Sequence, residues 1–335
     1  MKKLFFSLVA ATMATTATFA QSSMLATLSH EGEISAYYGV SALRDAHAAA
    51  AHGDIITLSS GSFNAVDITK AVTIRGAGMA IDNTAMTEPT VLIGDFNISI
   101  PEDATGRLTL EGIYHNHTIR LTTTLKNATF LKDRFRTIQS NTNDGVCRAI
   151  NLTMIHCRVA GEMRMYNDNS IACTNCIINC PAGVNGNVLY DFQNCVLMRT
   201  GNDDFDEFMN SSSFKNSILI QDGSWALKSS NTVYNCVGIK EGIFQAIQNS
   251  SNVYKSYEEV FKTYTGTYSD TESFELTDDA KNTLKGLDGT EVGIYGGNIP
   301  FSTTPTNPQI TKCNVAAKST ADGKLSVDIT VQGAE

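Results

Sequence analysis

The sequence predicts an all-β protein whose chain winds into a solenoid of short parallel strands. Three observations carry that expectation. A motif recurs through the middle of the chain: an apolar residue, a spacer, Asn or His, Cys or Ser, a spacer, an apolar residue. Its central position falls at His156, Asn175, Asn194, Asn216 and Asn235, in steps of 19, 19, 22 and 19 residues. Repeats of this length mean stacked supersecondary units. Around each centre the residues alternate every two positions and favour strands, with no helical period of useful length. About twenty residues suits one turn of three short strands, successive turns stacking at about 4.8 Å. A leucine-rich horseshoe shares the spacing but needs a Leu ladder that is missing.

The chain has 335 residues, 42% of them hydrophobic and 18% charged, which argues for a folded protein over a disordered one. A net charge of -9 excludes a nucleic-acid binder, because phosphates demand a basic face. Residues 1–20 read as a signal peptide: a basic Met1-Lys2-Lys3, an apolar run from Leu4 to Ala11, and small residues at Thr18 and Ala20. Export to the periplasm, cell surface or medium is the expectation. No Cys stands directly after Ala20, so a lipoprotein anchor is not expected, and no later segment offers about 18 consecutive apolar residues, so no membrane span is expected after signal removal.

Residues 21–52 form an N-terminal segment with a capping helix from Ser41 to Ala51, Ser41 at its N-cap and Gly53 at its end. Two Gly-punctuated strand stretches follow, 53–63 and 67–78, opening a solenoid expected over 53–301. Asn suits sharp corners because it tolerates the left-handed backbone region. Stacked Asn side chains can also hydrogen-bond from coil to coil. An earlier copy of the motif is placed at Asn127, with Leu125, Ala128 and Phe130 around it. Alternation then points three columns inward. They are Leu125, Met154, Cys173, Phe192, Phe214, Val233; Ala128, Cys157, Cys176, Cys195, Ser217, Cys236; and Phe130, Val159, Ile178, Leu197, Leu219, Gly238. Cys173, Cys176 and Cys180 invite a metal reading, but the other Cys keep the nineteen-residue beat, which favours a buried stack of small side chains. Disulfides between neighbours are the alternative that export allows.

Residues 240–287 lack the beat and read as a C-terminal cap with one short helix, Ser256 to Tyr264. Residues 302–335 comprise a linker and a terminal hairpin, with strands at 309–316 and 324–331, placed over an open edge. A sorting tag is the other reading of that hairpin. The order of capping helix, strand, turn, strand and Gly run resembles the opening of right-handed parallel β-helix proteins of the pectin-lyase-like superfamily. Residues 288–297 (DGTEVGIYGG) resemble the motif that closes many bacterial members. The resemblance spans roughly residues 40–300 and implies the fold more strongly than any activity. Asn202-Asp203-Asp204 is similar to part of the superfamily hydrolase signature, yet its partner motifs are missing.

Three inserted segments, 133–147, 160–169 and 200–211, are expected to leave the coils at one corner and line a groove. In the second, alternation with Met163 and Met165 inside would put Glu162, Arg164 and Tyr166 on the solvent face. Asp203, Asp204, Asp206 and Glu207 would lie nearby, as oxygen ligands for a possible calcium ion. Arg164 and Tyr166 are the candidate catalytic groups of a calcium-assisted polysaccharide lyase. Arg is a poor base, being always protonated, and Tyr166 would need positive neighbours. His115 and His117 read as a polar loop. The sequence favours a non-catalytic carbohydrate- or surface-binding protein, its partner a polysaccharide or cell-surface glycan held on exposed Asn, Thr and Ser. A carbohydrate-active enzyme is the alternative.

Overall fold

The structure, a computed structural model, describes residues 24–80, 88–140, 147–166, 169–179, 181–184, 188–199, 211–221, 226–306, 308–315, 322–324 and 326–332. The expected signal segment therefore lies outside the described residues. The chain is a parallel β-solenoid of about 8 turns.

An antiparallel hairpin, β1 (Leu25–His30) and β2 (Glu33–Tyr38), pairs with β3 (Ile55–Leu58) and starts the first sheet. Helix α1 (Ala42–Ala49) buries Ala42, Leu43, Ala46 and His47. Ser41 occupies the N-cap without a side-chain capping bond. The other end is closed by Lys70, whose Nζ donates to the carbonyls of His47, Ala48 and Ala50 at 2.6–2.8 Å. A cation suits that end because the last helical carbonyls lack partners.

The first sheet continues in parallel through β5 (Thr73–Arg75), β8 (Thr109–Glu111), β11 (Thr129–Leu131), β14 (Leu152–Ile155), β16 (Asn169–Thr174), β19 (Val188–Gln193), β21 (Ser213–Lys215) and β23 (Thr232–Tyr234). The second sheet runs from β4 (Gly61–Asn64) and β6 (Thr90–Ile93) through β9 (Ile113–Leu121), β12 (Arg134–Ser140), β15 (Arg158–Tyr166), β17 (Ile177–Asn179), β20 (Val196–Arg199), β22 (Ile218–Gln221) and β24 (Val237–Ile239) to β25 (Val253–Lys255). Strands β9, β12 and β15 are long because each turns a second corner. A register shift between Phe135 and Thr137 marks the bend in β12. Their second halves, with β7 (Phe96–Ile98) and β18 (Pro181–Val184), make a third face, and β10 (Leu125–Lys126) and β13 (Ala149–Ile150) pair in parallel as a separate two-stranded sheet.

Left-handed residues mark the corner between the first two sheets: Lys132, His156, Asn175, Asn194, Asn216 and Asn235, all with φ of 49–54°. Asn127 does not belong to this line. It shares a different corner with Asn151, whose side chain donates to it at 3.1 Å, and there Asn does ladder from coil to coil. The register Leu131↔Ile155 makes Lys132 the equivalent of His156, so the first column holds Phe130 in place of Leu125. The second column holds Asp133 in place of Ala128, and the third begins at Phe135. A composition-based pattern took the nearest Asn, whereas the register used Lys.

The second column is more than small filler. A left-handed corner turns backbone groups into the interior, where each must find a partner. Cys176 Sγ donates to Met154 O (3.4 Å) and Thr174 O (3.3 Å) and accepts the Cys157 amide at 3.4 Å. Ser217 Oγ accepts the Cys195 amide at 3.1 Å, and Asp133 Oδ1 accepts that of Ile113 at 2.8 Å. Cys, Ser and Asp interchange because each offers a short polar atom at that spot. Burial pushes the Asp133 carboxyl well above the ordinary range, Cys157 beside it adds to the shift, and two amide donors oppose it. Among the described residues, Cys157, Cys173, Cys176, Cys195 and Cys236 are free thiols. Cys180 lies outside the described residues.

From coil to coil the second sheet changes character. Ile177, Val196, Met198, Ile218, Ile220, Val237 and Ile239 pack outward against Val260, Phe261, Tyr264, Phe274, Leu276 and Ile294 of the cap. Unbroken apolar runs such as Val196-Leu197-Met198 and Ile218-Leu219-Ile220 encode strands buried on both faces. The expected cap helix is one turn, α2 (Tyr257–Val260), started by a capping box between Ser256 and Glu259. A further helix, α3 (Asp278–Thr283), is capped by Thr277. Beyond it the chain runs back along the left-handed corner as a strap. Asn235 donates to Lys285 O (3.1 Å), Asn216 Oδ1 accepts the Leu287 amide (2.9 Å), and Asn175 donates to Ile294 O (2.7 Å) and Gly296 O (2.8 Å). His156 Nε2 donates to Ile299 O (2.8 Å) and Lys132 to Thr304 O (2.7 Å). Glycine serves the close approach: a Cβ on Gly286 would sit 2.7 Å from Asn216 Cγ, and one on Gly296 would sit 2.6 Å from Asn194 Nδ2.

The terminal hairpin, β26 (Gln309–Val315) and β27 (Val327–Gln332), is a two-stranded sheet of its own and extends neither long sheet. Val327, Ile329 and Val331 stay exposed, so the expected edge covering is not seen in their surroundings.

Two outcomes test this account. Cys176→Ala should cost about 1–3 kcal/mol in urea unfolding, since it leaves buried backbone groups unpaired, while Cys176→Ser should cost less. Asn175→Ala should lose about 1–3 kcal/mol and open the strap to limited proteolysis.

Candidate functional site

The third face carries two in-register polar rows on rigid strands. One consists of Asn97, Arg120, Gln139 and Arg164, and the other of Thr118, Thr137 and Glu162. Their alternates, Ile119, Ile138 and Met163, point inward and are fully buried, as is Met165. The expected alternation of Glu162 and Arg164 against the two Met is thus realised. Segments 133–140 and 160–166 are strand for most of their length, so they form the face itself and are not loops projecting from it.

The rows are tied together by charge. Arg164 Nε donates to Glu162 Oε1 at 2.7 Å, both side chains being about a quarter to a third exposed. Arg120 pairs with Asp95 at 2.9 Å, and Asp95 Oδ1 accepts the Thr118 amide at 3.0 Å. That amide, followed by Arg120 and outweighing partial burial, holds the Asp95 carboxyl below the usual range. Asn97 is fixed by Asp67, whose Oδ1 accepts its amide at 2.8 Å. Asp67, Asp95, Asn97, Arg120 and Gln139 escaped the sequence reading. Their signal was there, in Phe96-Asn97-Ile98 and Ile119-Arg120-Leu121, as single polar residues between inward apolar ones.

Tyr166 closes β15, but its side chain lies outside the described residues, as do Asp203, Asp204, Asp206 and Glu207. The calcium candidates therefore have no described position. His115 and His117 belong to a strand, not a polar loop. His115 points inward, Nε2 donating to Gly94 O at 2.9 Å and the ring standing edge-on to Phe96. Burial lowers its pKa and keeps it neutral. His117 faces outward, 3.9 Å from Asp95. Among the described residues no three His, Cys, Asp or Glu gather as a metal site.

The expected exposed Asn ladder is overturned at the main corner: Asn175, Asn194 and Asn216 are buried under the strap. The Thr part of that expectation has a counterpart, an in-register row of Thr73, Thr109, Thr129 and Thr153 on the outer face of the first sheet. Compared with known protein families, curated proteins and solved structures, the chain finds no match.

Because the Glu162–Arg164 pair is partly solvated, Arg164→Ala should shift unfolding stability by less than about 1 kcal/mol in a denaturant melt. A larger loss would make Arg164 a structural residue.

Proposed function

We propose that the protein is an exported, non-catalytic binder of polysaccharide or cell-surface glycan, which it holds along the third face. The observation that supports this reading best is the pair of in-register rows of amide, hydroxyl, carboxylate and guanidinium groups, spaced by the strand repeat of about 4.8 Å. Such groups donate and accept toward a chain of hydroxyls. The third face's strands hold them at fixed intervals, so little side-chain order remains to be lost on binding. Glu162, Arg164 and Arg120 would provide charge-assisted contacts, and Gln139, Thr118 and Thr137 neutral ones. The basic, then apolar, N-terminal segment supports export, and the resemblance of residues 40–300 to the pectin-lyase-like superfamily agrees with a carbohydrate partner.

A lyase needs a base, and the guanidinium of Arg164 stays protonated while it bonds Glu162. A non-catalytic role therefore fits this face better.

In a glycan array with follow-up calorimetry, at least one polysaccharide should bind, and replacing both Arg120 and Arg164 by Ala should weaken it about tenfold, equivalent to about 1.4 kcal/mol. Unchanged affinity in the double variant removes the third face from the proposal. Calcium-dependent appearance of unsaturated product from an acidic polysaccharide would replace binding with lyase chemistry.

A further inference from the structure

A second site lies on the outer face of the second sheet, where the cap begins. One outward column of that sheet reads Val91, Tyr114, Arg134, Arg158, Ile177, Val196, Ile218, Val237. From Ile177 onward the column is apolar and covered by the cap. Just before the cap, two arginines stand directly opposite each other on neighbouring strands, Arg134 on β12 and Arg158 on β15. Like charges in that relation destabilise a sheet, and later coils show that Ile or Val serves the position.

Their partners leave positive charge in place. Arg158, only 7% exposed, donates to the carbonyls of Asp270 (2.6 Å), Glu272 (2.7 Å) and Ser269 (3.4 Å), so none of these acceptors is a carboxylate. Arg134 lies over the Tyr114 ring, 4.3 Å from its centroid, and pairs with the Asp270 carboxylate. Glu272 Oε1 is engaged by the Thr263 hydroxyl and the amides of Ser273 and Phe274. Buried charge normally carries a counter-charge, and here two guanidiniums share one ion-paired carboxylate.

The two arginines open onto a cleft of about 510 Å³, within the usual size of small-molecule sites, and its lining includes Met79, Pro89, Thr271, Tyr295 and Phe301.

 Apolar and aromatic side chains line the cleft beside the two guanidiniums, together with the polar segment 270–273. A planar two-oxygen anion matches the guanidinium fork, and a flat apolar body matches the walls.

We propose that this cleft binds a small carboxylate ligand with a flat apolar body, its carboxylate at Arg134 and Arg158 and its ring between Met79, Tyr295 and Phe301. Asp270 already sets a carboxylate against Arg134, which shows the geometry the ligand would share or take over. The site is independent of the third face and of the glycan reading.

Calorimetric titration of the full chain with benzoate, benzamide and inorganic phosphate tests it. Benzoate should bind saturably, with benzamide and phosphate each at least about tenfold weaker, because the first lacks the charge and the second the apolar body. Arg134→Gln should weaken benzoate about tenfold, and Thr271→Phe, which fills the cleft without removing charge, should do the same. Arg164→Ala, on the other face, should leave benzoate binding unchanged. Should Arg134→Gln not fold, Thr271→Phe decides. The proposal falls if benzoate gives no saturable heat by about 10 mM, if benzamide or phosphate binds as well, or if Thr271→Phe keeps full affinity.

Discussion

The left-handed turn between the first two sheets is the constraint on which the rest of the structure depends. From Gly112 onward each coil turns there through one left-handed residue, and each turn exposes backbone groups on both sides of the corner. Inside, the thiols, hydroxyl and carboxyl of the second column take up those groups. Outside, the side chains of the corner residues reach the carbonyls and amides of the strap. A single backbone requirement thereby selects Asn or a substitute at the corner, a short polar residue after it, and a Gly-rich segment near the end of the chain.

The cap follows from the same economy of partners. Later strands of the second sheet are apolar on both faces and need a covering layer, which the aromatic cluster of Phe261, Tyr264 and Phe274 supplies. Where that layer ends, the outward column turns cationic, and the boundary between buried and open sheet becomes a cleft. Among the described residues the third face has no such layer, and its outward residues are polar and paired with one another. Two different surfaces thus arise on one scaffold because the cap covers only part of one sheet.

Much of this was legible in the residues. The beat of Asn175, Asn194, Asn216 and Asn235 gave the coils, and the alternation around Met163 and Met165 gave the face of Glu162 and Arg164. The equivalence of Lys132 with His156 was not legible, because Lys is an uncommon left-handed residue and Asn127 lay close by as a better-looking candidate. The cap helix at Asp278–Thr283 was hidden for another reason: a helix of six residues shows too little periodicity to be read. Arg120 and Asp95 were missed because they are far apart in sequence and meet only through neighbouring coils.

The sequence by itself determined the solenoid, since a short-range backbone need repeats at fixed intervals and leaves its mark on local composition. It also determined which residues of each strand point inward, because strand alternation is a local property. Only the tertiary structure decided what covers the corner and what lines the cleft. Those contacts join segments more than a hundred residues apart, such as Asn175 with Ile294 and Arg158 with Asp270. No local pattern records such a pairing, because it depends on where the chain returns after the last coil.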